Sequence, residues 1–108
     1  MVAPVSPTAL AARLKEHPQD LVLLDVREPM ERDLAKIEPS LFIPMDQVPY
    51  RLEEIPKGVE LVVYCHSGTR SAMVAGFLEG QGYQRVGNLM GGIDAWSRRV
   101  DPSVPRYS

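Results

Sequence analysis

Apolar residues along the chain fall into short continuous runs, separated by stretches where they recur at helical spacing. Leu21-Val22-Leu23-Leu24 is a run of the kind buried on both faces of a parallel sheet. Leu61 to Tyr64 is a second, β-branched at its centre, and Leu41-Phe42-Ile43 and Val86 to Leu89 are two more. Val2 to Val5 predicts a short edge strand, because Pro4 has no N–H to give a ladder. Between the runs, Ser6-Pro7 supplies an N-cap and a first helical residue, Leu10, Ala11 and Leu14 an apolar stripe, and His17-Pro18 a stop. His17 reads as the decoration of a helix end.

Pro29 to Leu34 predicts a short helix, and Asp46 is placed to cap another through about Ile55, with Val48, Leu52 and Ile55 facing inward. Pro56-Lys57-Gly58 is a turn. A helix from about Arg70 to Glu79 is punctuated by Gly80 and Gly82, and Gly91-Gly92 turns into Ile93-Asp94-Ala95-Trp96. The closing segment, Asp101 to Ser108, is expected to wrap loosely over the surface. Alternating strands and helices predict one α/β domain over residues 1–108: a parallel sheet of about five strands with helices on both faces.

A net charge of −2 provides no basic stripe for nucleic acid, and no apolar run approaches the length needed to cross a membrane. Met1-Val2-Ala3-Pro4 lacks the regions of a secretory signal, and the single cysteine forms no internal disulfide, so a cytoplasmic location is expected. One Cys and two separated His, His17 and His66, are too few for a metal cluster, and no nucleotide-type glycine loop occurs; no cofactor is expected.

That single cysteine, Cys65, lies where a strand ends and a helix begins, at the head of His66-Ser67-Gly68-Thr69-Arg70-Ser71. Successive amides of such a loop can turn inward as an anion-binding nest, and the helix start adds partial positive charge. Both favour thiolate, the nucleophilic form, over an inert buried thiol. Gly68 is expected to take a backbone angle that a side chain would forbid. Ser67, Thr69 and Ser71 carry hydroxyls that steady the loop or donate to an anion, and Ser71 reads equally as a helix cap. Arg70 is read as the holder of an anionic donor; the alternative is a brace to Asp25 or another carboxylate. His66 either raises the potential at the mouth or points to solvent. Asp25 and Arg27, just past a strand, are expected to form a structural ion pair near the loop.

Three segments, Leu24-Asp25-Val26-Arg27-Glu28-Pro29, Val62 to Ala72, and Asn88-Leu89-Met90-Gly91-Gly92-Ile93-Asp94-Ala95-Trp96, resemble the signature segments of the rhodanese-like domain, in its order and spacing. The likeness spans nearly the whole chain. It implies an α/β fold with a five-stranded parallel core and a catalytic Cys65 that becomes persulfidated. It further implies transfer of sulfane sulfur from thiosulfate or a related small anionic donor to cyanide or a thiol, an acceptor protein included. The chain departs from the family at Ala35-Lys36-Ile37-Glu38-Pro39-Ser40, where Gly-His-Ile-Pro-Gly-Ala is usual. A sulfur-relay or docking module without thiosulfate turnover is the alternative. A Cys-based phosphatase or arsenate reductase is disfavoured: those enzymes space Cys and Arg more widely, and here only His66, Ser67, Gly68 and Thr69 intervene.

Overall fold

The computed structural model describes residues 1–108. Five parallel strands form one sheet in the order β1-β5-β4-β2-β3, with β1 Ala3–Val5, β2 Leu21–Asp25, β3 Leu41–Phe42, β4 Glu60–Tyr64 and β5 Val86–Leu89. The Pro4 strand is at an edge, as its missing N–H requires. The central place goes to β4, paired on one side with β2 and on the other with β5, and Cys65 follows directly at its C-terminal end.

Side chains alternate across β4, so Leu61 and Val63 join one core while Val62 and Tyr64 join the other. The first core, which takes in Cys65, packs α3 (Thr69–Gly80) through Val74, Ala75 and Leu78. The second packs α1 (Pro7–Glu16) through Leu10 and α4 (Gly92–Arg99) through Ile93 and Trp96. Helices therefore cover both faces. Val62, Val63, Leu24 and Leu78 are wholly buried, each stabilising the fold by roughly 1.5–3 kcal/mol against exposure. At the start of α1 the Ser6 hydroxyl accepts the Ala9 amide at 3.1 Å, the cap read from sequence. No helix is long and apolar enough to cross a membrane.

Two expectations are corrected. Residues 46–55 form no α-helix but two 3₁₀ turns, Met45–Tyr50 and Leu52–Glu54, entered from Pro44 rather than capped by Asp46. Pro49 works against the α-helix, having no N–H to give and biasing Val48 before it away from the α region. The tighter turns close instead through Gln47 to Pro44, Arg51 to Val48 and Ile55 to Leu52. Val48 and Ile55 are buried and Leu52 packs against their core, so the inward face matches the apolar spacing although no α-helix forms.

The closing segment is pinned rather than loose. Ser97 Oγ donates to the Val104 carbonyl at 2.5 Å, Arg106 pairs with Asp94 at 2.9 Å, and Tyr107 inserts among charged groups at the end of β2.

Candidate active site

At the end of β4 the chain turns away from the sheet and re-enters order as α3, whose N-cap is Gly68 at φ +111°. That left-handed angle is the one Gly68 was expected to supply. The turn aims two amides at the sulfur: Gly68 N–H lies 3.1 Å and Ser71 N–H 3.4 Å from Cys65 Sγ. The Ser71 hydroxyl is 3.3 Å away. Burial pushes the Cys65 thiol up, but the Ser71 hydroxyl and the amides of Ser71, Gly68 and Ser67 together hold it below its ordinary value.

Ser71 is no helix cap: it is buried in the first turn of α3, with its hydroxyl also 2.5 Å from Asn88 Oδ1 on β5. Asn88 in turn donates from Nδ2 to the Gly68 carbonyl at 3.1 Å, which locks its amide orientation. Ser67 and Thr69 are exposed on the rim, and it is Ser71's hydroxyl that reaches the sulfur. From the other side, α4 closes on the loop backbone: Ile93 N–H donates to the Cys65 carbonyl at 2.9 Å and Asp94 N–H to that of His66 at 3.1 Å.

Arg70 is paired not with Asp25 but with another carboxylate. Its two terminal nitrogens donate to Glu31 Oε1 at 2.6 Å and Oε2 at 2.9 Å, a bidentate bridge from the loop to α2 (Pro29–Leu34). Glu31 is oriented by α2 itself, where the Glu28 amide donates to Oε1 at 3.0 Å in a capping box. Arg70 is the chief reason the Glu31 carboxyl lies at about 2 and, reciprocally, the Arg70 guanidinium is raised.

Asp25 and Arg27 do form the expected ion pair, both side chains fully buried, at 2.8 and 2.7 Å. Every remaining Arg27 donor is used: the Ala35 carbonyl at 2.7 Å, the Glu31 carbonyl at 3.3 Å and the Tyr107 hydroxyl at 2.9 Å. Burial opposes the Arg27 charge, yet the bonds to Asp25 and Tyr107 leave its guanidinium more basic than usual. Tyr107 then donates to Glu31 Oε2 at 2.7 Å, so the buried pair communicates with the Glu31–Arg70 pair through one hydroxyl. Its ring also lies 4.4 Å from that of His66, which is half-buried with Nδ1 sealed from solvent and without a hydrogen-bond partner.

The Ala35–Ser40 segment, where the sequence departs from the family pattern, serves this same network. Arg32 reaches both Asp25 at 3.0 Å and Ser40 Oγ at 2.7 Å, while the Ile37 amide donates to the buried Tyr64 hydroxyl at 3.2 Å. Sequence reasoning missed Glu31, Asn88 and Tyr107. The signal for Glu31 was its place three residues after Glu28 with a proline between, a capping-box spacing. No group of three or more His, Cys, Asp or Glu side chains is placed to hold a metal ion.

The model of the rhodanese-like domain family matches residues 6–99. A sulfurtransferase of Allochromatium vinosum is 42% identical over 104 residues, covering 96% of each chain. A putative sulfurtransferase of Bacillus subtilis is 36% identical over 98 residues, covering 91% of this chain and 93% of its own. Among solved structures, a rhodanese-like domain protein from Staphylococcus aureus superposes with a TM-score of 0.84 at 29% identity, over 99% of this chain and all of that one (100%).

Proposed function

The chain belongs to the rhodanese-like domain family, whose relatives are named for sulfur transfer, and on that premise we propose that Cys65 is the nucleophile that carries the sulfur. In the first step the Cys65 thiolate attacks the outer sulfur of thiosulfate or a related donor. A bond forms from Sγ to that sulfur, the donor's bond to it breaks, and the leaving group, sulfite when the donor is thiosulfate, departs with the electron pair. Cys65 now holds a persulfide. In the second step cyanide, or a thiolate on a small molecule or an acceptor protein, attacks the terminal sulfur, and Sγ leaves as thiolate. Two displacements replace one, a ping-pong scheme.

What supports this reading above all is the set of donors converging on Sγ: the Gly68 and Ser71 amides and the Ser71 hydroxyl. They stabilise the anion before attack and again when Sγ becomes the leaving group. Cys65 is 1% exposed at the base of a short loop, a depth that suits one narrow sulfur atom better than a tetrahedral phosphoryl group. Ser67 and Thr69 form the exposed rim, and we assign the reaction to a reducing compartment such as the cytoplasm, where a lone thiol stays reduced.

The test is intact mass before and after incubation with thiosulfate, alongside Cys65→Ser. A gain of one sulfur in the wild type only, released by cyanide as thiocyanate, is expected. Absence of the gain with thiosulfate, mercaptopyruvate and alkyl persulfides alike would remove the enzymatic reading in favour of docking.

A further inference from the structure

A bidentate pair at the mouth of a nucleophile changes what the site attracts. Arg70 is the one cationic side chain in the loop, and both of its terminal nitrogens are engaged by Glu31. Arg70 immediately precedes Ser71, whose amide and hydroxyl contact Sγ, and its side chain is 30% exposed, so this pair flanks the cysteine loop at the surface. The neighbouring guanidiniums are committed too: Arg27 to Asp25 inside the fold, and Arg32 to Asp25 and Ser40.

Glu31 does not depend on Arg70 for its position. The Glu28 amide holds Oε1 and the Tyr107 hydroxyl holds Oε2. If Arg70 swung away to meet a substrate, the carboxylate would stay and face the incoming group uncompensated. Its carboxyl at about 2 keeps it charged at any physiological pH. An approaching donor therefore meets a neutral pair above an anionic sulfur.

Resting on the reading of Cys65 as sulfur acceptor, we propose that Glu31 is a specificity-determining residue. By neutralising Arg70 it turns the site away from dianionic donors such as thiosulfate and toward donors of lower charge, such as alkyl persulfides. With a persulfide R–S–SH the balance is direct. Sγ bonds to the outer sulfur, the S–S bond breaks, the thiolate RS⁻ leaves with the electron pair, and the proton stays on the transferred sulfur. The persulfide reacts as neutral R–S–SH and brings at most one negative charge when ionised, whereas thiosulfate brings two.

The experiment measures the second-order rate of sulfur loading onto Cys65 by mass, with thiosulfate and with the persulfide of 2-mercaptoethanol, in wild type, Glu31→Gln and Glu31→Asp. Glu31→Gln is expected to raise the thiosulfate-to-persulfide ratio about tenfold, and added salt to raise it in the wild type more than in this variant. Glu31→Asp keeps the charge while shortening the brace, so its ratio is to remain near that of the wild type. The proposal is overturned if Glu31→Gln leaves the ratio within about twofold, or if both variants shift it equally, as a purely structural brace requires. Should Glu31→Gln not fold, the wild-type salt dependence and Glu31→Asp decide alone. Failure of wild-type protein to load sulfur from either donor would instead overturn the sulfurtransferase reading, and this proposal with it.

Discussion

The Ser71 hydroxyl stands 2.5 Å from Asn88 Oδ1 and 3.3 Å from Cys65 Sγ, with one proton to give and two groups able to take it. While Cys65 is a thiol, its S–H can donate to Ser71 and Ser71 to Asn88. Once the sulfur is anionic it can only accept, and the single hydroxyl proton is shared between Sγ and Asn88 Oδ1. Ser71→Ala removes that donor and keeps both amides. The Cys65 thiol is then expected to titrate at higher pH, and alkylation by iodoacetamide near neutrality to slow by about fivefold to tenfold. The pH profile of alkylation checks it; an unchanged profile would assign the stabilisation to the Gly68 and Ser71 amides alone.

Gly92 bears on the same loop from behind. At φ +61° a Cβ there would land on the carbonyls of Cys65 and His66, both backbone atoms that cannot step aside. The glycine is what lets the α4 start approach closely enough for Ile93 and Asp94 to donate to those carbonyls. Gly92→Ala is expected to lower stability by about 2 kcal/mol or more, from strain at positive φ and the displaced loop, and to reduce sulfur loading with it. Urea unfolding gives the first quantity and intact mass the second.

Much of this arrangement was legible because it is local. The apolar runs at Leu21–Leu24 and Leu61–Tyr64 could be little else than buried strands, and a cysteine followed by Gly68 at a strand-to-helix junction announces a turned loop. The Asp25–Arg27 pair is two residues apart and was visible for the same reason. For Arg70 the sequence leaves both a donor contact and a brace to a carboxylate open, and it does not single out Glu31, 39 positions away, because no periodicity encodes a contact across that distance. Tyr107 is more remote still, bonded to residues 80 and 76 positions back. At residues 46–55 the apolar spacing was correct, but Pro49 within it should have outweighed periodicity.

The Glu31–Arg70 bridge also predicts how the protein responds to acid. The carboxyl moves from 4.5 to about 2 on folding, so the folded state binds this proton less tightly than the unfolded chain. The resulting stability is complete above about pH 4.5 and is lost as pH falls toward about 2. Because the pair is partly exposed, its contribution is roughly 1 kcal/mol. Between pH 5 and 2, the wild type is expected to lose more stability than Glu31→Gln, the two curves converging at the acid end. Thermal melts across that range would show parallel curves if the bridge does not form in solution.

Tyr107, the penultimate residue, holds the cysteine loop from a distance. Its hydroxyl accepts a hydrogen bond from Arg27 and donates one to Glu31, and its ring covers His66. Burial raises the phenol to about 12, so it stays protonated and able to donate through the neutral range. Tyr107→Phe removes both hydrogen bonds while keeping the ring on His66. It leaves one Arg27 N–H without its acceptor, a loss of about 1–2 kcal/mol. The loop consequence is more specific: freed on one side, Glu31 fixes Arg70 less firmly, and backbone amides 66 to 70 should exchange with solvent several-fold faster. Amides of β2 and β4, held by the sheet, should change only by the global loss of stability. Hydrogen exchange followed by peptide mass separates the two. Uniform acceleration across loop and sheet would mean that the tail stabilises the fold as a whole and has no separate hold on the loop that carries Cys65.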